Sequence, residues 1–162
     1  MMKPFAPLLL AAALVAGSAA AQNPGQIGSV QQGASCPGCN LFQAEFAGAE
    51  MDGRNLARSR LRQSNMSLAT MNRANFSGAD LRDVDAFGGV FSSASFAGAN
   101  LTNASFVGAY LQGANFRGAI LSGANFSGAE MQRATGLTQG QLNSACGDQA
   151  TRLPRGLSIP AC

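Results

Sequence analysis

Four cysteines are the residues whose chemistry and spacing stand out first in this sequence. Cys36 and Cys39 form a C-x-x-C motif, and Cys146 and Cys162 follow near the C-terminus. A C-x-x-C motif is compatible with a redox-active dithiol, a zinc site or a structural disulfide. Zinc is the weakest of the three interpretations, because the sequence has no histidine and the second cysteine pair does not repeat the C-x-x-C spacing.

Other side chains that could support catalysis are few. The 162 residues include no histidine and no tryptophan, so proton donors, proton acceptors and metal ligands are scarce. We therefore predict that the protein is not an enzyme and that it has no catalytic residues, no metal site and no cofactor. A C-x-x-C thiol oxidoreductase is the remaining enzyme alternative, and titration of free thiols would distinguish it.

The cysteines flank a five-residue repeat that runs through residues 36–135. This segment contains 21 Leu, Phe and Met residues, and 18 of them return at every fifth position, with Ala86 the one small residue among 19 repeat centres. Alanine lies two positions before 13 of the 19 centres, and glycine is common two positions after them. Asparagine often precedes a centre, and we expect its side chain to bond backbone groups at corners.

A period of five fits neither the 3.6 residues of a helical turn nor the alternation of a strand. If the small and the large residue both face inward, the other three residues of each repeat must turn a corner. Four corners close a square of about 20 residues, and successive coils stack ~4.8 Å apart. Nineteen centres then give about five coils. One predicted inner column is Leu41, Leu61, Leu81, Leu101 and Leu121, and another is Phe76, Phe96 and Phe116.

Runs such as GANFRGAILSGANFSGAEM resemble the pentapeptide-repeat family, whose repeat is Ala, then Asp or Asn, then Leu or Phe, then two small or polar residues. The resemblance extends over residues 39–136. It implies an all-β fold, a right-handed, four-sided parallel β-helix solenoid, and it is the resemblance that supplies the handedness. Secreted members of the family are similar in having an N-terminal C-x-x-C motif and a cysteine in the C-terminal tail.

The position of the cysteines in this repeat favours structural disulfides. Cys39 lies at the small inward position before Leu41, so the C-x-x-C motif leads into the first coil instead of opening a helix, as a redox motif would. Five coils separate the two ends by ~24 Å, whereas a disulfide needs Cα atoms within ~7 Å. We therefore predict the pairs Cys36–Cys39 and Cys146–Cys162, unless the tail folds back along the stack.

The N-terminal segment has the features of a secretory signal peptide over residues 1–21. Lys3 supplies the positive charge, Phe5 to Val15 form an apolar run too short to span a bilayer comfortably, and three alanines precede a cleavage site after Ala21. An uncleaved anchor is the alternative. We expect export to the periplasm or the exterior and no membrane span in the mature chain.

Three further segments follow the signal peptide. Residues 22–35 are polar and aperiodic, which predicts a flexible leader. Residues 36–136 form the predicted β-helix, and residues 137–162 form a cap. In the cap, Thr138 and Gln141 make a capping-box pattern and Gly147 is a stop signal, so we expect a short helix over residues 139–146 that covers the last coil.

The charge of the mature chain is nearly balanced. Loss of the first 21 residues leaves 141 residues with ten arginines, no lysine and eight acidic residues, a net charge of +2. This balance differs from the strongly basic surface of a nucleic-acid-binding protein, so we predict no nucleic-acid partner. The resemblance implies one alternative, a DNA mimic that binds a topoisomerase, which the export signal and the positive charge disfavour.

Two departures from the repeat concern charged and apolar residues. Arg54 occupies an inward position, where a buried unpaired guanidinium is costly, so we expect either a local bulge or a side chain that reaches solvent. At Ala86 the inward position is small and Phe87 follows it. Phe87 either turns inward to fill the space or stays outside, and the sequence does not decide between these alternatives.

Two surface patches are the candidate binding sites. If Phe87 is outside, a 20-residue coil clusters Phe87, Val90, Val107 and Tyr110, which form a candidate partner surface. The candidate basic patch is Arg58, Arg60, Arg62 and Arg82. A solvated face neutralised by nearby acids is favoured over a specific anion site there.

The sequence as a whole favours a non-catalytic, exported structural or protein-interaction module. A solenoid has flat faces and no obvious pocket, and its polar exterior lacks a convergent set of reactive groups. We expect an unidentified protein partner, and self-association into a homo-oligomer is also compatible with the sequence.

Overall fold

The computed structural model describes residues 21–162. The predicted signal peptide therefore lies outside the described residues, apart from Ala21. The described part contains two helices, α1 at Pro24–Gln31 and α2 at Gln139–Leu142. Neither is long and apolar enough to cross a membrane. Between them the backbone forms isolated parallel β-bridges rather than long strands.

In the regular coils, the bridges join one residue of each repeat to the residue 20 positions later. Asn40 pairs with Arg60, Arg60 pairs with Asp80, and Asp80 pairs with Asn100. Equivalent ladders run along the other three sides, so one coil consists of four five-residue repeats. The chain is a right-handed, four-sided β-helix, as predicted.

Each corner of the coil is a β-turn that begins at a repeat centre. In one of them the amide of Ala99 donates to the carbonyl oxygen of Phe96 at 3.0 Å. The third residue of that turn, Gly98, has φ +65°. A type II turn requires a positive φ at this position, which glycine adopts at little steric cost. This requirement explains why glycine is frequent two positions after the centres.

The large residues fill the interior in columns. Every repeat centre from Leu41 to Met131 is at most 2% exposed. The rings of Phe76, Phe96 and Phe116 stack with 5.2 Å between successive centroids. The stacking follows from the 20-residue coil, because it places identical side chains one coil spacing apart. The predicted aromatic column is therefore confirmed.

The interior compensates for the small side chain of Ala86. Val84 takes the inward position normally held by alanine in the same repeat, and it is buried. In this repeat the larger inward side chain therefore lies two residues before the centre, and Phe87 remains outside. In the next repeat Gly89 leaves room for an aromatic ring, because a Cβ at residue 89 would lie 2.5 Å from Cε2 of Phe91.

Asparagines before the centres bond the corner amides, as expected. Asn65, Asn100 and Asn125 each accept a hydrogen bond from the backbone N–H two residues later, at 2.9–3.1 Å. The ladder provides no backbone acceptor for these N–H groups. The asparagine side chains therefore satisfy donors that the corner leaves unpaired.

The segment predicted to be a flexible leader contains the helix α1. Asn23 caps the helix by accepting a hydrogen bond from the N–H of Gln26 at 3.2 Å, and Pro24 follows at the first helical position. Val30 is completely buried against the first coil. The helix covers the N-terminal end of the solenoid, and only one of its residues is buried, so its sequence shows little apolar periodicity.

Arg54 lies beside the C-terminal end of α1, and the ladder passes it without a bulge. The amide of Asn75 donates to the carbonyl oxygen of Arg54 at 2.8 Å, as in a regular coil. A Cβ on residue 33 would lie only 3.1 Å from Nη2 of Arg54, and Gly33 has φ +94°. The side chain is half-buried against the residues that follow α1, and its Nε is buried without a hydrogen-bond partner among the described groups.

The helix of the C-terminal cap begins where the sequence predicted but is shorter. It spans Gln139–Leu142 instead of residues 139–146. Thr138 and Gln141 form the expected capping box, and Leu142 is buried.

Residues after α2 continue the ladder instead of extending the helix. Cys146 pairs with Asn125, and Arg152 pairs with Glu130. The offsets are 21 and 22 residues instead of 20, so the cap is an irregular additional coil. It provides hydrogen-bond partners for backbone groups that the last regular coil would otherwise leave open.

Candidate partner-binding surface

The structure brings the four predicted patch residues together on the outside of the solenoid. Phe87 is 51% exposed and Tyr110 is 41% exposed, which answers the open question about Phe87. Val90 and Tyr110 are partners in one bridge, and the amide of Gly88 donates to the carbonyl oxygen of Val107 at 2.9 Å. The four side chains thus lie on two adjacent coils around one corner.

Leu68 belongs to the same surface and was missed from the sequence. It is the most exposed large apolar residue described, at 63%. Its amide donates to the carbonyl oxygen of Phe87 at 2.8 Å, and its Cδ2 lies 2.9 Å from the place that a Cβ on Gly88 would occupy. The signal was available, because Leu68 is a large apolar residue outside the five-residue phase. We call Leu68, Phe87, Val90, Val107 and Tyr110 the apolar patch.

The backbone at Leu68 is in the left-handed region, with φ +57°. A leucine in this conformation is disfavoured by about 1–2 kcal/mol. In the described chain, seven other non-glycine residues at the same corner position, among them Gln43 and Arg73, also have φ between 53° and 59°, so the turn imposes this conformation. A glycine, as found at the equivalent corner positions Gly48, Gly88 and Gly108, would fit without that cost.

The fold does not require apolar residues at Val90 and Tyr110. On the other sides of the coil, the residue before the centre usually caps a corner amide. On this side, the capping role passes to residues after the centre: Asp52 accepts the N–H of Asn72 at 2.8 Å, and Asn72 accepts the N–H of Ser92 at 3.0 Å. The positions of Val90 and Tyr110 are therefore free to carry side chains for another purpose.

Carboxylates surround the apolar patch. Glu50 and Glu130 lie on the same ladder as Val90 and Tyr110, one on each side of them, and Asp85 lies on the adjoining ladder, two residues before Phe87. The Asp85 carboxylate accepts the backbone N–H of Phe87 at 3.0 Å. Within residues 21–162, none of these three carboxylates lies within 4.0 Å of a basic group.

Two of the four arginines in the candidate basic patch form ion pairs with aspartates. Arg82 forms a two-point ion pair with Asp80, with both N···O distances 2.7 Å. Arg62 Nε lies 3.3 Å from Oδ2 of Asp83. The side-chain hydrogen bond from Arg82 is the main reason that the pKa of Asp80 is lowered. These pairs agree with a solvated, balanced face.

The other two arginines of this patch lie at separate places. The Arg60 guanidinium carbon lies 5.0 Å from the ring centroid of Phe42, a cation–π arrangement. Arg58 is exposed at a corner, with φ +57°, and its Cγ lies 3.4 Å from the place of a Cβ on Gly78. The four arginines therefore do not converge on one anion-binding point.

The cysteines are paired as the coil spacing predicts. Cys36 is bonded to Cys39 with Cα atoms 5.5 Å apart, and Cys146 is bonded to Cys162 with Cα atoms 4.8 Å apart. No free cysteine is found in the part of the chain that the structure describes. One disulfide closes the start of the first coil, and the other ties the tail to the last.

An open cavity of about 490 Å³ lies beside the C-terminal disulfide, lined in part by Ile159 and Ala161. Asp148 is its acidic residue, and its pKa is lowered chiefly by the hydrogen bond from the backbone N–H of Gly128. The same carboxylate accepts the N–H of Thr151 at 3.0 Å. Asp148 therefore has a clear structural role, and no group of potential metal ligands occurs within residues 21–162.

Comparison with protein families identifies the repeat. Residues 55–85 and 94–133 match the family model for pentapeptide repeats, with eight copies. A search of curated protein sequences finds no significant match. The family match and the four-sided coil together support the predicted family.

Several solved structures are similar to this chain. A pentapeptide repeat protein from Nostoc PCC 7120 is 20% identical, with a TM-score of 0.42, over 86% of this chain and 91% of that one. One from the cyanobacterium Cyanothece 51142 is 22% identical, with a TM-score of 0.37, over 80% of this chain and 98% of that one. QnrB1, a plasmid-mediated fluoroquinolone resistance protein, is 19% identical, with a TM-score of 0.41, over 79% and 87%.

Proposed function

We propose that this chain, which has the pentapeptide-repeat fold, is a non-catalytic, exported module that binds a protein partner through the apolar patch. The observation that carries the proposal is the cluster of exposed apolar side chains, with Leu68 at its edge, on a mostly polar coat. Exposed apolar patches of this kind are typical of protein–protein contact sites, and tyrosine and phenylalanine are enriched there.

The side-chain chemistry supports a binding role instead of catalysis. The best-connected acids, Asp80 and Asp148, both have lowered pKa values because of hydrogen bonds that support the fold. A general acid or base working near neutral pH needs its pKa moved in the opposite direction. The regular coils, by contrast, provide a rigid surface on which exposed side chains are held at fixed spacing.

Export is supported by the signal-like segment and by the two disulfides. Disulfides of this kind persist in oxidising compartments, such as the periplasm or the cell exterior. Mass spectrometry of the protein purified from its native compartment should find Gln22, or its cyclised form, at the N-terminus. An intact Met1 on the soluble protein would contradict this part of the proposal.

The binding role is tested with the double variant Phe87→Ser/Tyr110→Ser. We expect this variant to fold normally and to lose a partner that the parent protein retains in quantitative pull-downs from the same compartment. The matched control is Ile120→Ser, because Ile120 is 49% exposed but lies outside the patch. An unchanged set of partners for the double variant would contradict the proposed function.

A further inference from the structure

We propose that the partner segment bound by the apolar patch carries apolar side chains flanked by lysine or arginine. This inference rests on the proposed function and adds the chemistry of the ligand. It follows from the arrangement of charge around the patch.

One ladder places a glutamate on each side of the apolar residues Val90 and Tyr110. Glu50, Thr70, Val90, Tyr110 and Glu130 follow one another at successive coils. With ~4.8 Å per coil, the two glutamates lie about 19 Å apart with the apolar residues between them. An extended segment of about six residues covers that distance, so one short peptide reaches both ends of the patch.

The adjoining ladder contributes a third carboxylate, that of Asp85. Asp85 lies two residues before Phe87, and its carboxylate accepts only the Phe87 backbone N–H among the described groups. The remaining lone pairs face outward, because Asp85 is exposed. A lysine or arginine next to the apolar group of a partner would find an acceptor there without breaking an existing ion pair.

The ladder of Val90 and Tyr110 carries more acidic than basic residues. Arg152 is the one basic residue on the ladder of Glu50 and Glu130, where it follows Glu130. It reduces the negative charge at that end, whereas Glu50 and Asp85 have no basic neighbour within 4.0 Å in the described chain. The ladder and Asp85 together therefore carry three carboxylates and one guanidinium, while Arg73 and Arg133 lie at the corner that follows the ladder.

This charge pattern distinguishes among possible occupants. A second copy docking patch to patch would bring like carboxylates together, which is unfavourable. An anionic lipid surface would be repelled for the same reason. A basic segment with apolar side chains satisfies both the carboxylates and the exposed rings, so it is the occupant that the structure favours.

The experiment uses three 12-residue peptides that share one apolar centre, Leu-Phe-Leu-Ile, flanked by Lys/Arg, by Ser or by Glu. Binding to the mature protein with both disulfides is measured by fluorescence anisotropy at low salt. We expect the Lys/Arg-flanked peptide to bind at least tenfold more tightly than the Glu-flanked peptide, and added salt to reduce the difference.

Two charge variants separate the acidic surroundings from general electrostatics. Glu50→Gln/Asp85→Asn/Glu130→Gln should reduce the preference to within about twofold while apolar binding persists. The control Asp80→Asn/Asp83→Asn removes two carboxylates from the balanced face and should retain the preference. Phe87→Ser/Tyr110→Ser should lose binding of all three peptides.

Several results would overturn the inference. These are equal binding of the three peptides, a preference for glutamate flanks, a preference that survives the first charge variant, or self-association of the free protein that Phe87→Ser/Tyr110→Ser abolishes. If the pull-down still shows a partner lost with the double variant, the proposed function stands and only the basic-flank inference fails. If neither partner nor peptide depends on the patch, both fail.

Discussion

The aromatic column inside the solenoid and the apolar patch outside it both repeat large apolar side chains at the spacing of one coil. The column of Phe76, Phe96 and Phe116 is completely buried, whereas Phe87 and Tyr110 are about half exposed. A side chain at a repeat centre points into the interior, whereas the side chains of Phe87 and Tyr110, one residue from a centre, point outward. The phase of the five-residue repeat therefore decides whether an apolar residue is buried or exposed. Burial in the column thus stabilises the fold, while the patch is left for contacts with other molecules.

The strongest test of this contrast is to truncate an aromatic ring of the column. Phe96→Ala should lower the free energy of unfolding by roughly 3–5 kcal/mol, because it removes a ring stacked on both sides and leaves a cavity. Ser105→Ala, an outward substitution, should change it by less than about 0.5 kcal/mol. Urea denaturation measures both, and similar losses at the two sites would contradict the inward assignment.

The next effect concerns the end of the stack that protects the column. Cys146→Ser/Cys162→Ser opens a loop with a sequence separation of 16 residues, which should cost ~3 kcal/mol in the chain-entropy model. Cys36→Ser/Cys39→Ser, with a separation of three, is the comparison and should cost less. Thermal unfolding with and without reductant would show this, and a larger loss at the N-terminal pair would refute the ranking.

A smaller effect of opposite sign is expected in the patch. Leu68→Gly should leave the free energy of unfolding unchanged or raise it by up to ~1 kcal/mol. Glycine relieves the left-handed strain, and this gain offsets the larger conformational entropy that glycine loses on folding. It should also weaken partner binding. Arg73→Gly is the control, since Arg73 has the same φ of +57° outside the patch. A clear loss of stability in Leu68→Gly would show that Leu68 supports the fold.

The smallest expected effect distinguishes the balanced face from the patch by its pH dependence. Asp80 has a lowered pKa, so its charge stabilises the folded protein above the unfolded-state pKa of about 4. That contribution is lost as the pH falls through the lowered folded-state pKa. Asp80→Asn should therefore lower the urea midpoint at pH 7, and the difference from the parent should shrink in acid. Asp85→Asn, which removes no ion pair, is the control and should lower the urea midpoint at pH 7 by less than Asp80→Asn.

The coil itself was predictable because it depends on local rules repeated many times. Alternation of small and large inward residues, glycine at the corners and asparagine before the centres each act within five residues, so the period alone indicates 20 residues per coil. The cysteine pairs followed from the same geometry, since the ends of a stack lie too far apart to be joined.

Other features depended on contacts that the period does not encode. The helix α1 packs on the first coil and buries only Val30, so its sequence lacks apolar periodicity even though Asn23 and Pro24 are helix-start signals. The exterior position of Phe87 depended on Val84 filling the space at Ala86, a pairing between two inward positions.

The sequence by itself thus determined the repeat, its inner columns and its disulfides, because five-residue sterics and burial fix them. Only the tertiary structure decided how the ends are covered and which carboxylates near the apolar patch lack an ion pair. These features arise where residues 20 or more positions apart meet across coils, and they depend on which side chains are left without a partner there.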